Sequence, residues 1–199
     1  MTRLLNATVT DGATIRSRTT DPGVVALGTG PGRHGAPGRP VPIAAQGGTR
    51  LWLGVSAFLF ADDDGHLTVL KSTWGLLTGR NADTDVLHYD YERGKDGYPE
   101  AHLQVYGRNA DLEEVLESVG RKRARLHQLH LPVGGRRFRP ALEDLIEFLI
   151  DERLVEAKPG SKQALERSRG AYHDVQLLAA IRRRPAKAAE GLAMLAAVR

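Results

Sequence analysis

Two runs between residues 85 and 107 alternate strictly between side chains that suit a core and side chains that suit a surface. In residues 86–92 every second side chain is leucine or tyrosine, and residues 101–106 show a similar alternation. Successive side chains of a strand point to opposite faces, so each run has one apolar and one polar face. An Asp-Gly pair and a proline between the runs favour a turn. We therefore predict a β-hairpin whose polar face carries two histidines, an aspartate and a glutamine: His88, His102, Asp90 and Gln104.

Apolar runs on the N-terminal side of this hairpin predict two more strands. Residues 51–60 are almost continuously apolar, and residues 66–77 return as a second strand after an aspartate-rich turn. Together with the hairpin, these runs predict a four-strand antiparallel meander. The alternating residues 126–131 predict a fifth strand.

Helical periodicity appears in the remaining stretches. A short helix is predicted from a cap at Asp111 to Gly120, and a second begins after Pro140 with a clear apolar stripe. Two further helices are predicted over residues 161–184 and up to residue 198. The predicted class is therefore α+β, with an antiparallel sheet of four to five strands, helices on one face and a helical C-terminal segment.

Composition divides the chain into three parts. Residues 21–48 hold eight glycines and five prolines, so residues 1–48 are predicted to be a Gly/Pro-rich disordered tail. Residues 49–157 are predicted to be the α+β domain. A Lys-Pro-Gly break at residues 158–160 separates that domain from a helical C-terminal segment, residues 158–199.

Composition also excludes several classes of function. The chain of 199 residues has no cysteine, which excludes disulfides, thiolate metal sites and a cysteine nucleophile. No apolar run approaches the roughly 18 residues that a membrane span requires, and the N-terminus has no secretory pattern. We expect a cytoplasmic protein without membrane attachment and without a cofactor. The net charge of +4 agrees with a polyanionic partner.

The polar face of the hairpin is the candidate catalytic site. His88, Asp90 and His102 share this face, and His130 of the predicted fifth strand could join them. Three interpretations remain open for the cluster. It could do acid–base chemistry, since histidine titrates near neutrality and a carboxylate can fix its tautomer; it could be a two-histidine, one-carboxylate metal site; or it could be a solvated sheet face. No complete catalytic motif is present, so the pattern alone does not make the chain an enzyme.

A basic segment follows the hairpin. Between residues 121 and 139 there are seven basic residues and no acid: Arg121, Lys122, Arg123, Arg125, Arg136, Arg137 and Arg139. The last three precede a helix start, an arrangement that suits phosphate, so this segment predicts binding of RNA or another polyanion. The alternative is a solvated loop whose arginines pair with the acidic face of the helix after Pro140.

The order of motifs resembles a bacterial toxin family. His88-Tyr89-Asp90-Tyr91, then Tyr98-Pro99 with His102, then an acidic amphipathic helix, is similar to the TumE-like toxins over about residues 50–120. The resemblance implies a toxin encoded beside a small DNA-binding antitoxin, and it transfers no catalytic residue. The leading hypothesis is therefore a toxin-like protein of a toxin–antitoxin pair that acts on RNA or other nucleic acid. The alternative is a non-catalytic protein-interaction or nucleic-acid-binding module.

Overall fold

The strands form one antiparallel sheet. A computed structural model describes residues 1–28, 39–46, 50–62, 65, 67–80, 85–120, 125–134 and 139–197. Within these ranges the sheet has eight strands, in the spatial order β1-β2-β4-β5-β6-β7-β8, and β3 pairs with β4 beside β2. The strands are β1 Arg16–Asp21, β2 Val24–Gly28, β3 Val41–Ile43, β4 Leu51–Ala61, β5 Leu67–Leu77, β6 Asp85–Glu92, β7 Ala101–Val105 and β8 Leu131–Pro132.

Five α-helices accompany the sheet in the described ranges. They are α1 Thr2–Thr8, α2 Ala110–Ser118, α3 Leu142–Asp151, α4 Ser161–Arg183 and α5 Pro185–Ala197, and a short 3-10 turn spans Leu126–Gln128. No helix in the described part of the chain is both long and apolar enough to cross a bilayer. The α+β class, the antiparallel sheet and the helical C-terminal segment are confirmed.

The core lies between one face of the sheet and the helices. Cross-strand pairing aligns Val55, Trp74 and Tyr89 on that face, and a second row aligns Leu53, Leu76 and Leu87. The stripe of α3 that periodicity predicted packs there, with Leu142, Leu145, Ile146 and Leu149 all buried. The alternation of leucine and tyrosine along β6 therefore has the predicted consequence: one face of the hairpin faces the core.

The prediction of a disordered N-terminal tail is wrong for residues 1–28 and 39–46. These residues form α1 and three strands, while residues 29–38 and 47–49 lie outside the described part of the structure. Leu5 and Val9 are 0 % exposed and belong to the same core as α3. Apolar residues of this part of the chain therefore reach the core, while Gly23, with a φ of 80°, turns the chain between β1 and β2.

Two other expectations also need correction. The sheet has more strands than predicted, since β1, β2 and β3 come from the supposed tail. Residues 126–131 do not form a full fifth strand, because the 3-10 turn occupies their first half and only β8 pairs with β7. The cap of α2 is Asn109, whose Oδ1 accepts from the Leu112 backbone N–H at 3.0 Å, and not Asp111.

Lys158 joins the start of the C-terminal segment to α1. Its ammonium donates to the backbone carbonyls of Asn6 at 2.8 Å and Thr10 at 2.5 Å, and it also contacts the Asp11 carboxylate. The Lys158 backbone N–H donates to the Thr8 carbonyl at 3.0 Å. These bonds satisfy carbonyls at the end of α1 that the helix itself leaves unpaired. Lys158, which marks the predicted domain boundary, therefore connects the C-terminal segment to α1 through hydrogen bonds.

Candidate active site

Strand pairing places the predicted site residues on one face. In the β6–β7 register His88 lies opposite Gln104, and Asp90 lies opposite His102. Residues paired in this way point to the same side of a sheet. The prediction that His88, Asp90 and His102 share the face away from the core is therefore confirmed.

A second layer of chain covers this face. The Gln104 side-chain amide donates to the His127 carbonyl at 2.7 Å, which holds the 3-10 turn against β7. The His127 ring stacks on Tyr106 with centroids 5.0 Å apart. One further pair, His130 and Tyr98, stacks at 4.1 Å. These contacts explain why residues 126–131 leave the predicted strand conformation: the polar face of the hairpin binds them as a lid.

His130 completes an aromatic cluster around His102. The His130 ring lies edge-on to His102 with centroids 4.6 Å apart, and Tyr98 meets His102 edge-on at 5.0 Å. The structure thus brings His130 to His102, as the sequence suggested it could. It also adds Tyr98, Tyr106 and His127, which were not among the predicted site residues. Tyr98 could have been recognised from its position beside Pro99, because these two residues lie four and three positions before His102.

The interpretation of a solvated face is wrong for both histidines. His88 is 9 % exposed and His102 is 3 % exposed. Buried imidazoles need hydrogen-bond partners, and their partners define which nitrogen carries a proton.

The proton positions on His88 follow from its neighbours. Because the Gln104 amide nitrogen donates to a carbonyl, its oxygen Oε1 is the atom that faces His88 Nε2 at 2.7 Å. His88 Nε2 must therefore carry a proton. On the other side of the ring, Nδ1 lies 3.3 Å from Asp85 Oδ2. That hydrogen bond also needs a proton, so His88 and Asp85 share one, held either by the imidazolium or by the carboxylic acid.

His102 has the opposite arrangement. Its Nδ1 lies 3.1 Å from the Pro99 carbonyl, which can only accept, so Nδ1 carries the proton. Nε2 of the neutral ring is then left with its lone pair, and it forms no hydrogen bond within the described part of the chain. A backbone carbonyl that fixes the tautomer of a histidine in this way prepares the other nitrogen to take up a proton.

Asp90 lies closer to His88 than to the histidine opposite it. Its Oδ2 is 3.5 Å from His88 Nε2. The other oxygen, Oδ1, is buried and has no hydrogen-bond partner among the described residues. A buried acceptor without a donor costs free energy, so Oδ1 is a position at which a hydroxyl or amine of a bound molecule is favoured.

Glycine at position 75 makes room for His88. Gly75 lies opposite His88 in the β5–β6 register, and a Cβ there would come within 3.3 Å of the His88 Cβ. A side chain at this position would require His88 to shift by a few tenths of an ångström. Gly75 and Asp85 therefore belong to the site, although the sequence pattern pointed to neither.

The metal interpretation receives no support from the geometry. Among the residues that the structure describes, no group of three or more histidine, aspartate or glutamate side chains could hold a metal ion. His88, Asp90 and His102 therefore do not form the two-histidine, one-carboxylate arrangement.

The basic segment does not line the histidine face as a unit. Arg121, Lys122, Arg123, Arg136 and Arg137 lie outside the described residues. Arg125 lies 3.9 Å from Glu113 of α2, a carboxylate that Arg108 also contacts at 3.0 Å. The hydrogen bond from Arg108 holds the pKa of Glu113 below its ordinary value. Arg139 is on the other side of the sheet, with its guanidinium 4.4 Å from the centre of the Tyr91 ring.

Asp85 gives the site a measurable pH dependence. Burial raises the pKa of Asp85 above its ordinary value of 3.8, and the neighbouring His88 opposes this only in part. A carboxyl group whose pKa is raised in the folded state stabilises the fold at a pH below its ordinary pKa. That stabilisation is lost as the pH rises through the pKa of the folded state. We therefore expect Asp85→Asn to gain free energy of unfolding relative to the native chain as the pH is raised from about 4 to 7. Urea unfolding at several pH values measures this difference.

The control for that measurement is Asp96→Asn in the exposed hairpin loop. Its difference from the native chain should not change across the same pH range. A difference for Asp85→Asn that is equally flat would show that burial does not raise the pKa of Asp85.

The two histidines thus offer a proton donor and a proton acceptor on one covered sheet face.

The resemblance to TumE-like toxins stays a prediction. No protein-family model matches the chain, and no match was found among curated proteins or solved structures.

Proposed function

We propose that the protein is a toxin-like enzyme that cleaves RNA by acid–base chemistry on the covered face of β6 and β7. The observation that carries the proposal is the fixed tautomer of His102, whose Nε2 is available as a base while its Nδ1 is held by Pro99. His88, on the same face, carries a proton on Nε2 and shares another with Asp85. Diagonal positions on paired strands are roughly 7 Å apart, which allows one phosphodiester to lie between the rings.

The residues then have complementary roles. His102 Nε2 takes the proton of a ribose 2′-hydroxyl, and the resulting oxygen attacks the adjacent phosphorus. The bond from phosphorus to the 5′-oxygen breaks, and His88 gives that oxygen a proton, which Asp85 can replace. The products are a 2′,3′-cyclic phosphate and a 5′-hydroxyl. Asp90 Oδ1, a buried acceptor without a partner in the described chain, would accept a hydrogen bond from a sugar hydroxyl.

Stacked aromatic pairs support a single-stranded substrate. Tyr98 with His130 and Tyr106 with His127 form two parallel ring pairs on this face, and all four residues are half-buried. The ammonium of Lys95 lies 5.1 Å from the centre of the Tyr98 ring and pairs with Glu92 at 3.3 Å. Bases of single-stranded RNA bind proteins by stacking on such rings, with about 1–3 kcal/mol for each base.

The resemblance of residues 50–120 to TumE-like toxins agrees with this proposal. It adds the expectation that a small DNA-binding antitoxin is the natural partner. To neutralise the enzyme, the antitoxin would then have to cover the lid, residues 126–131, or occupy the polar face beneath it.

The test is cleavage of a short single-stranded RNA by the purified chain. We expect fragments that end in a 2′,3′-cyclic phosphate, identified by mass spectrometry. A matched RNA with a single 2′-deoxyribose should remain intact at that bond and be cut elsewhere. If the RNA is bound but never cleaved, the enzyme hypothesis is rejected and a nucleic-acid-binding module remains. Cleavage at the deoxyribose would reject the assigned mechanism.

A protein-interaction module is the second candidate, and a different observation favours it. Large apolar side chains of α4 and α5 are strongly exposed, including Val175 at 62 %, Leu177 at 60 %, Leu192 at 69 % and Leu195 at 69 %. Exposed apolar surface of this kind is typical of contact sites between proteins. A stable complex with another protein, without any action on RNA, would make this the leading function.

A further inference from the structure

A cleft opens on the side of the sheet opposite the histidine face. It has a volume of about 550 Å³ and lies between the end of the β4–β5 hairpin and the C-terminal half of α4. Arg139, one of its lining residues, contacts the ring of Tyr91. Tyr91 neighbours Asp90 in β6, and successive side chains point to opposite faces. The cleft is therefore separate from the site proposed for RNA.

The described lining of the cleft is rich in arginine. It includes Arg93, Arg139, Arg182 and Arg183, and Asp62 is the acid among these described residues. This described part of the lining therefore carries three more positive than negative formal charges. The ordinary role of Arg182 and Arg183 is to complement the negative end of the α4 dipole. That role does not account for Arg93 and Arg139, which come from other parts of the chain.

Two of the guanidinium groups are held in place. The Nε–H of Arg93 donates to the Val69 carbonyl at 3.1 Å, and its guanidinium lies 5.9 Å from the Phe60 ring centre. Arg139 lies over the ring of Tyr91, which is 2 % exposed. Fixed guanidinium groups lose little conformational entropy when they bind an anion, so such an arrangement is suited to phosphate.

Apolar side chains form the outer walls of the cleft. Leu67, Val175 and Leu178 line it and are 66 %, 62 % and 53 % exposed. A purely ionic ligand would not cover them. A cleft of this volume is in the range that proteins use for small organic ligands.

Two buried hydroxyls lie next to Arg139. The hydroxyl groups of Tyr91 and Tyr172 have no hydrogen-bond partner among the described residues. Arg139 contacts the Tyr91 ring and lies close enough to Tyr172 to influence it electrostatically. Neither tyrosine is among the residues that line the cleft, so the phosphate contacts are assigned to the arginines.

We propose that this cleft binds a phosphorylated small molecule that has an apolar portion. The arginines hold the phosphate, and the leucine and valine side chains cover the apolar part. The proposal is independent of RNA cleavage, because it concerns the opposite face of the sheet.

The experiment uses anilinonaphthalene sulfonate, an amphipathic anion whose fluorescence rises when its rings leave water. The full chain should bind it saturably, and inorganic pyrophosphate should displace it. Arg183→Gln should weaken binding of both probes about tenfold, since it removes one charge-assisted contact. Arg184→Gln is the matched control, because Arg184 is adjacent and does not line the cleft.

A second pair of variants tests the apolar wall. Leu178→Glu should abolish binding of the dye, whereas Leu177→Glu should not, since Leu177 is similarly exposed at 60 % and lies outside the lining. Thermal melts establish that each variant is folded. Equal effects within either pair, or failure of pyrophosphate to displace the dye, would overturn the proposal.

Discussion

Leu5→Ala should lower the free energy of unfolding by about 3 kcal/mol, within the range for buried leucines. Leu5 is 0 % exposed and belongs to the core shared by α1, the sheet and α3. Its removal leaves a cavity that the sheet cannot close, because the surrounding residues are held by strands on one side and helices on the other. Urea unfolding followed by circular dichroism measures the change.

Removal of residues 1–15 should have a still larger effect. It deletes Leu4, Leu5, Val9 and Ala13 from the core and leaves Lys158 without its carbonyl partners. A domain of this size is stable by about 5–15 kcal/mol, so loss of the whole segment should prevent cooperative folding. Arg3→Ala, at an exposed position of the same helix, is the control and should leave the midpoint unchanged. A truncated chain that melts like the full chain would restore the tail interpretation.

His102→Gln should reduce the rate of RNA cleavage about 10²- to 10⁴-fold, the usual contribution of a general base. The variant removes the lone pair on Nε2 while it keeps much of the side-chain volume. It should also abolish the acidic limb of the pH–rate profile, a change that no loss of packing can produce. Initial rates across the pH range measure both effects.

The control for His102 must be destabilising and chemically silent, because His102 is 3 % exposed and its replacement will affect stability. Leu103→Ala meets this need, since Leu103 is the next residue of β7 and points to the opposite face. It should lower stability and retain the pH profile of the native chain. If both variants keep the acidic limb, His102 is a structural residue of the covered face.

The hairpin was predictable because its signal is local. Strict alternation in both runs fixes which side chains share a face, and the same alternation places Tyr89 and Tyr91 toward the core. The cover over His102 was not predictable, since it depends on contacts between residues distant in sequence. The Gln104 amide and the rings of Tyr98 and Tyr106 hold this segment against β7 with residues 126–128 in a 3-10 turn, although residues 126–131 alternate like a strand.

The N-terminal part was missed for a different reason. α1 is only seven residues long, and its buried leucines, Leu4 and Leu5, form no repeated stripe. β1 is exposed at every position and offers no apolar pattern at all. Its pairing with β2 places it in the sheet. Composition averaged over residues 21–48 hid β2 and β3, because glycine and proline dominate the average.

The bond between Lys158 and α1 has a consequence for synthesis of the chain. α1 leaves the ribosome before Lys158 and Leu165, which complete its surroundings and follow about 150 residues later. At translation rates of about 5–20 residues per second, α1 waits roughly 8–30 s for these partners. The hairpins of the central sheet can form during that interval, whereas Leu4, Leu5 and Val9 stay accessible to chaperones and proteases. Packing of α1 against these later residues should therefore follow formation of the central hairpins.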